Sequence, residues 1–226
     1  MGLTTTEWFA IGLSLKVALV STVLVVPLAL WAGNWLVHSR FKGKALIETL
    51  FMFPLVLPPI VTGYLLLTLL HRNSFLGALV YDLLGVKIAF AFPGAVLAAA
   101  VVSFPLVLRP VKVALEMLDP HYVQVSRSLG TGRVGTFFKV VLPMTFPGIA
   151  AGAVLGFARA LGEFGATIML AGNVAGETTT IPLAIFTAFN RADGQGAVAR
   201  LVVISVIISF LALVGAELLV RRQKGA

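Results

Sequence analysis

The sequence predicts an all-α integral membrane protein built from about five transmembrane helices. Of its 226 residues, 59% are hydrophobic and only 12% are charged, and the mean hydropathy is +1.02. A soluble fold of this length could not bury so much apolar surface. The lengths of the apolar stretches and the placement of the basic residues support the same fold class.

Five stretches are long enough to cross a bilayer, which takes roughly 20 apolar residues. Three are free of charged side chains, a fourth contains Arg159 and Glu163, and a fifth contains Glu217. The first follows Glu7 instead of a basic segment and is too long for a cleaved signal peptide, so we expect it in the mature chain. We predict one transmembrane domain over residues 1–226, with spans at about residues 12–37, 48–70, 89–109, 146–171 and 199–220.

The basic residues predict the orientation of the chain, because Lys and Arg in short loops stay on the cytoplasmic side. Eleven lie in segments that the predicted spans place on one side, against three on the other. The eleven are Arg40, Lys42, Lys44, Arg109, Lys112, Arg127, Arg133, Lys139, Arg221, Arg222 and Lys224, and the three are Arg72, Lys87 and Arg191. We therefore predict a multi-pass protein of the cytoplasmic membrane, with its N-terminus outside and its C-terminus inside. This topology explains the formal charge of +8, so no nucleic-acid partner is expected.

The chain lacks the motifs of several common enzyme classes. It has no cysteine, no Gly-x4-Gly-Lys-[Ser/Thr] sequence for binding nucleotide phosphates, no His-Glu-x-x-His and no Gly-x-Ser-x-Gly. Gly130, Gly132 and Gly135 match a dinucleotide-binding spacing, but no strand precedes them and the next acidic residue, Glu163, lies in a predicted span. We expect a protein that is not an enzyme, with no catalytic residue, no metal site and no cofactor bound by this chain.

Two segments carry local structural signals. Pro54, Pro58 and Pro59 interrupt the second span, which predicts either a broken helix that lines a cavity or a packing kink. Between the third and fourth spans, the segment at about residues 119–143 predicts a short cytoplasmic helix that ends at Gly130, then a turn, then an amphipathic piece that returns to the bilayer.

The cytoplasmic segment also carries a family resemblance. Tyr122-x-Gln-x-Ser-Arg-x-Leu-Gly130, followed after nine residues by Val140-x-Leu142-Pro143, resembles the signature of permeases in binding-protein-dependent ATP-binding-cassette importers. The resemblance implies a type I importer permease with the MetI-like fold, whose coupling helix sits in a cleft of an ATPase subunit. Here Gln124, Val125 and Ser126 stand where the family has Glu-Ala-Ala, so the glutamate charge is missing, although Gln124 can hydrogen-bond. The implied coupling residues are Tyr122, Gln124, Val125, Ser126, Arg127, Leu129, Gly130, Leu142 and Pro143.

Further segments narrow the resemblance to one substrate class. Residues 53–67, 94–100, 103–106, 157–168 and 176–182 are similar to molybdate permeases, although sulfate permeases share the Arg-Ala-x-Gly-Glu core at residues 159–163. The resemblance implies a homodimer around an oxyanion path, an external binding protein, and two ATPase subunits that hold ATP and Mg. Molybdate or tungstate is the implied substrate. The alternatives are a permease for sulfate or another oxyanion, and an autonomous secondary carrier, which should show inverted repeats and more intramembrane carboxylates than Glu163.

The fourth span contains the candidate residues for the transport path. Arg159 and Glu163 stand four residues apart, so we expect them on one helix, either as a structural ion pair or with Arg159 supplying positive potential to a passing anion. Thr167 and Asn173 are neutral candidates near the outer mouth. A repeat of small residues every four positions predicts a tightly packed helix face, which we place at the dimer interface. Its members are Gly148, Gly152 and Gly156.

Overall fold

The computed structural model describes the backbone of residues 2–224 and the side chains of residues 2–215, and this part of the chain is entirely helical apart from its loops. Glu217 and the three basic residues predicted for the inner tail, Arg221, Arg222 and Lys224, lie outside the described side chains. The helices are α1 (Thr5–His38), α2 (Lys44–Val56), α3 (Pro59–Leu70), α4 (Phe75–Leu84), α5 (Phe92–Glu116), α6 (Pro120–Ser128), α7 (Arg133–Thr136), a π-helical turn (Phe137–Val141), α8 (Leu142–Leu161), α9 (Gly165–Leu170), α10 (Ile181–Phe189) and α11 (Gln195–Lys224).

Four helical segments are long and apolar enough to cross a membrane by themselves. They are α1, α5, the continuous helix Arg133–Leu161, and α11. Helices α2 and α3, of 13 and 12 residues, are each too short to cross alone, but together they are long enough, with a bend of 111° between Val56 and Pro59. By length and composition the described chain therefore has four crossings, or five if the bent pair counts as one.

The directions of the helices favour five crossings. Gly33, near the end of α1, packs against Leu115, near the end of α5, while Leu13 and Ala95 share a buried cluster near the two helix starts. Since α1 and α5 run parallel, the chain between them must return across the bilayer. The bent pair α2 and α3 makes that return, in agreement with the predicted number of spans.

Ion pairs fix helix ends at both sides of the bundle. At one end, Lys112 of α5 lies 2.8 Å from the carboxylate of Glu48 in α2 and 3.5 Å from that of Glu116. At the other end, the buried Glu7 carboxylate of α1 lies 2.7 Å from Arg200 of α11, which places the two helix starts together. The contacts of Lys112 with Glu48 and of Arg200 with Glu7 connect helices that are far apart in sequence, and each involves a side chain that is only partly exposed.

The bend in the second span follows from its prolines. Pro58 and Pro59 have no backbone N–H to donate, and a proline disfavours helical geometry at the preceding residue. The helix therefore stops at Val56 and starts again with Pro59 in its first turn. The structure thus shows a broken helix, while the part of the prediction in which the break lines a cavity stays a prediction.

The fourth span differs from the prediction at both ends. The helix begins at Arg133 instead of near residue 146, because the amphipathic segment continues into the membrane through the π-helical turn without a break. The turn precedes Pro143, whose missing N–H removes one α-helical hydrogen bond. The helix ends at Leu161 instead of near residue 171, and a short helix, α9, follows after the break at residues 162–164.

Candidate functional site

The two broken spans meet where α3 and α9 begin. A Cβ atom added to Gly165 would lie 2.8 Å from Pro59 Cβ, and one added to Gly63 would lie 2.6 Å from Ala166 Cα. Any side chain larger than hydrogen would force the two helices apart, so the glycines allow the backbones to touch. We call this contact between the start of α3 and the start of α9 the break junction.

Glu163 supplies the charge at the break junction. Its side chain is 1% exposed, and its Oε1 accepts a hydrogen bond of 2.7 Å from the Ala166 N–H in the first turn of α9. Its Oε2 lies 2.6 Å from Arg159 Nη1, although no guanidinium N–H is aligned with that oxygen, so the contact is an ion pair without a well-formed hydrogen bond. The expectation that both residues lie on one helix is wrong, because the helix stops at Leu161 and Glu163 stands in the break.

The geometry agrees with an ion pair and also leaves Arg159 accessible. The Arg159 side chain is 27% exposed, whereas its partner is almost completely enclosed. A carboxylate buried at this depth needs a nearby cation, since an unpaired charge in hydrocarbon is costly. The same guanidinium retains an open side, so both of the predicted roles for Arg159 fit the observed contact.

An open groove runs beside the break. It has a volume of about 460 Å³ and lies between the end of α8, α10 and α11. Its walls are mostly apolar, with Gly162 and Phe164 on one side and Phe186 and Ser205 on the others. The break therefore borders accessible space on the side away from α3.

The predicted neutral residues lie in different surroundings. Thr167 is buried in α9, whereas Asn173 is exposed in the loop between α9 and α10. The Asn173 amide donates to Thr187 Oγ1 at 2.8 Å and its carbonyl accepts from Thr179 Oγ1 at 2.8 Å. These two hydrogen bonds order the loop and use both the nitrogen and the oxygen of the Asn173 side-chain amide.

Two buried threonine hydroxyls lie near these residues without a partner in the described part of the chain. Thr62 Oγ1 in α3 and Thr180 Oγ1 at the start of α10 have no hydrogen-bond partner among the described side chains and backbone. Thr62 directly precedes Gly63 of the break junction, and Thr180 precedes Ile181, whose N–H donates to Ser14 Oγ at 2.7 Å. Sequence reasoning named Thr180 as a neutral donor near the outer mouth but missed Thr62, for which the available signal was a hydroxyl in the first turn after a Pro-Pro helix break.

The predicted coupling segment forms an exposed helix and a tight turn. Asp119 caps α6 by accepting from the His121 N–H at 2.8 Å, and α6 has no buried residue. Gly130 has φ +83°, the left-handed conformation expected of a glycine that ends a helix. Large apolar side chains face outward along this segment, and Ser126 Oγ lies 3.2 Å from Thr136 Oγ1 of α7. Two of the predicted coupling residues, Ser126 and Leu142, are partly buried. The others are exposed: Tyr122, Gln124, Val125, Arg127, Leu129, Gly130 and Pro143.

The glycine face of α8 packs inside this chain. A Cβ on Gly148 would lie 2.8 Å from the Pro110 carbonyl oxygen, and one on Gly152 would lie 2.9 Å from that of Val107. A Cβ on Gly156 would meet the Val107 side chain at 2.5 Å. The prediction of close packing is confirmed, but the partner is α5 of the same chain and not a second copy.

Comparison with known proteins identifies the family. The profile described as "Binding-protein-dependent transport system inner membrane component" matches residues 25–225. The chain belongs to this family. It is 47% identical to the molybdenum transport system permease protein ModB of Escherichia coli (strain K12), over 98% of this chain and 96% of that protein. It is 36% identical to the sulfate transport system permease protein CysT of Salmonella typhimurium, over 88% of this chain and 71% of that protein.

Solved structures agree on the fold. The chain superimposes on the MetNI methionine ABC transporter in its inward-facing conformation with a TM-score of 0.68, over 96% of this chain and 94% of that one, at 16% identity. It superimposes on a bacterial alginate ABC transporter in complex with a periplasmic protein that holds an alginate pentasaccharide, with a TM-score of 0.75, over 97% of this chain and 80% of that one, at 16% identity. The predicted MetI-like permease fold is confirmed. The chain is a multi-pass inner membrane component of a binding-protein-dependent transport system.

Gly130 provides a test of the turn after α6. Replacing it with Val forces a β-branched residue into left-handed geometry, a strain of about 1–3 kcal/mol. We expect the turn to open and tryptic cleavage at Arg127 and Arg133 to accelerate roughly fivefold or more in the purified protein. Gly132→Val is the matched control, because Gly132 has φ −63° and open space around it. Equal cleavage of the two variants and the parent protein would show that the turn does not depend on Gly130.

Proposed function

We propose that this chain is the membrane-spanning subunit of an ATP-driven importer for molybdate or its near-twin tungstate. The observation that carries the proposal is the 47% identity to a molybdenum permease along 98% of the chain. The lower identity to a sulfate permease, 36%, makes sulfate or another oxyanion the second candidate. Molybdate, tungstate and sulfate are tetrahedral dianions, and the guanidinium of Arg159, whose side chain is 27% exposed, is the cation paired with Glu163 at the break.

We also propose where the other components of the importer bind to this chain. Because the sequence has no nucleotide-phosphate motif, ATP and Mg belong to two separate ATPase subunits that dock on α6 and the Gly130 turn. An external binding protein delivers the anion to the opposite face. Two copies of a single transmembrane domain enclose the path, which is supported by the exposed faces of α11 and the open groove beside the break.

Transport would proceed by alternating access. Closure of the ATPase pair moves α6, and the continuous helix from Arg133 to Leu161 carries that movement to the break junction. The passage needs weak attraction for the anion, since a tight cage of donors would prevent release. One partly neutralised arginine meets that requirement better than several free cations.

The substrate is tested with the assembled importer in proteoliposomes. We expect ATP-dependent uptake of labelled molybdate that needs the binding protein, competes with tungstate at equal concentration, and resists about a tenfold excess of sulfate, a preference of about 1.4 kcal/mol. If sulfate competes as well as tungstate, the proposed substrate would be a broader class of oxyanions instead of molybdate. Uptake driven by a proton gradient without ATPase subunits would favour a secondary carrier.

Orientation is tested by single cysteines, because the sequence has none of its own. We expect Ser128→Cys, beside the Gly130 turn, to react with an impermeant maleimide only from the cytoplasmic side. Ala192→Cys, in the exposed turn between α10 and α11, should react only from outside. Labelling of both positions from one side would contradict five crossings, and an exchanged pattern would invert the proposed orientation.

A further inference from the structure

Three aromatic rings form a ridge at the end of α1. The Trp31 and Trp35 rings stack with centroids 6.4 Å apart and an interplanar angle of 7°, and Phe41 lies 5.5 Å from Trp35. Trp31 is 67% exposed, Phe41 41% and Trp35 37%. None of these rings belongs to the break junction, to α6 or to the groove. Their exposure is therefore unexplained by the proposed transport path.

The ridge continues an apolar stripe along α1. Leu24 and Leu28 are exposed and precede Trp31 and Trp35 at spacings of three and four residues, which places all four side chains on one helix face. Going toward the end of α1, the stripe changes from aliphatic to aromatic. This is the order of the hydrocarbon and interfacial layers of one bilayer leaflet, where tryptophan is enriched.

Two cations follow the aromatic ridge. Arg40 and Lys42 are exposed in the loop after α1, and no described carboxylate lies within 4.0 Å of either. Lys44 differs, because it lies 4.0 Å from Glu48. Within this loop the Lys44 N–H donates to the Phe41 carbonyl at 3.3 Å, and the Phe41 ring lies 5.5 Å from that of Trp35. In a bilayer, a charge that follows an interfacial aromatic ridge would lie near the depth of the lipid phosphates.

We propose that Trp31, Trp35, Phe41, Arg40 and Lys42 form a binding site for one anionic phospholipid. Its phosphate pairs with Arg40 and Lys42, its glycerol region contacts the stacked rings, and an acyl chain lies along Leu28 and Leu24. The inference is independent of the transported substrate and uses the proposed orientation only to place the lipid in the cytoplasmic leaflet, where anionic headgroups attract basic juxtamembrane segments. Along this surface aliphatic side chains are followed by aromatic rings and then by basic side chains, which matches the acyl chain, glycerol region and phosphate of a lipid. A second copy of the chain would not require this order.

Tryptophan fluorescence tests the lipid site. The full chain carrying Trp8→Phe retains Trp31 and Trp35 as its tryptophans and is reconstituted into phosphatidylcholine vesicles with a small fraction of brominated lipid. We expect brominated phosphatidylglycerol to quench at a concentration several-fold lower than brominated phosphatidylcholine. Arg40→Gln with Lys42→Gln should remove this preference. Lys87→Gln with Arg191→Gln removes the same charge from the other loops and should keep the preference.

Each other outcome contradicts the proposal. Equal quenching by both lipids in the parent protein would mean that only ordinary annular lipid touches the ridge. Absence of quenching by either lipid would mean that a second copy or another protein segment covers it. If added glycerol phosphate abolishes the preference, Arg40 and Lys42 bind a free phosphate ester and not a lipid. If the Lys87 and Arg191 control also loses the preference, the effect comes from the net charge of the protein and not from a site.

Discussion

The arrangement around the break junction depends on the buried carboxylate of Glu163. A carboxylate enclosed within a membrane protein is stable only when a cation and hydrogen-bond donors replace its water. Arg159 at the end of α8 supplies the cation at 2.6 Å, and the Ala166 N–H at the start of α9 supplies the donor at 2.7 Å. One side chain therefore connects the two helices that flank the break and fixes where the second resumes.

In the proposed mechanism, the residues around the break junction would serve both transport and stability. Breaking two helices inside a bilayer exposes backbone groups that must be buried in protein or lie beside a wet cavity. The contact of Gly63 and Gly165 with the opposite backbone buries one side, and the groove opens the other. From this point a continuous helix of 29 residues, roughly 40 Å long, leads to the exposed segment that contains α6 and Gly130. In the proposed mechanism this helix would carry a displacement from one end to the other.

The sequence predicted the features that depend on local patterns. Apolar length and loop charge predicted five crossings, the Pro-Pro pair predicted the second-span break, and the left-handed geometry at Gly130 followed from a glycine after a polar helix. The start at Arg133 could not be predicted, because an amphipathic helix that continues into the membrane carries no boundary signal. The spacing of Gly148, Gly152 and Gly156 predicted a close contact but could not identify α5 as the partner. The pairing of Glu7 with Arg200, and the contact of Glu163 with a backbone N–H, depend on tertiary structure alone.

Thermal unfolding of the purified protein with Arg159→Gln, Glu163→Gln and both together tests the central role of Glu163 most directly. Arg159→Gln leaves a nearly enclosed carboxylate without its cation and should destabilise by roughly 3–5 kcal/mol, while Glu163→Gln leaves the more exposed Arg159 and should cost less. The double variant retains an acceptor for the Ala166 N–H and should recover most of the stability that Arg159→Gln loses. A double variant that recovers stability and assembly yet transports poorly would show that Arg159 also acts on the passing anion. Stability of Arg159→Gln equal to that of the parent protein, or a double variant as unstable as Arg159→Gln, would contradict the account.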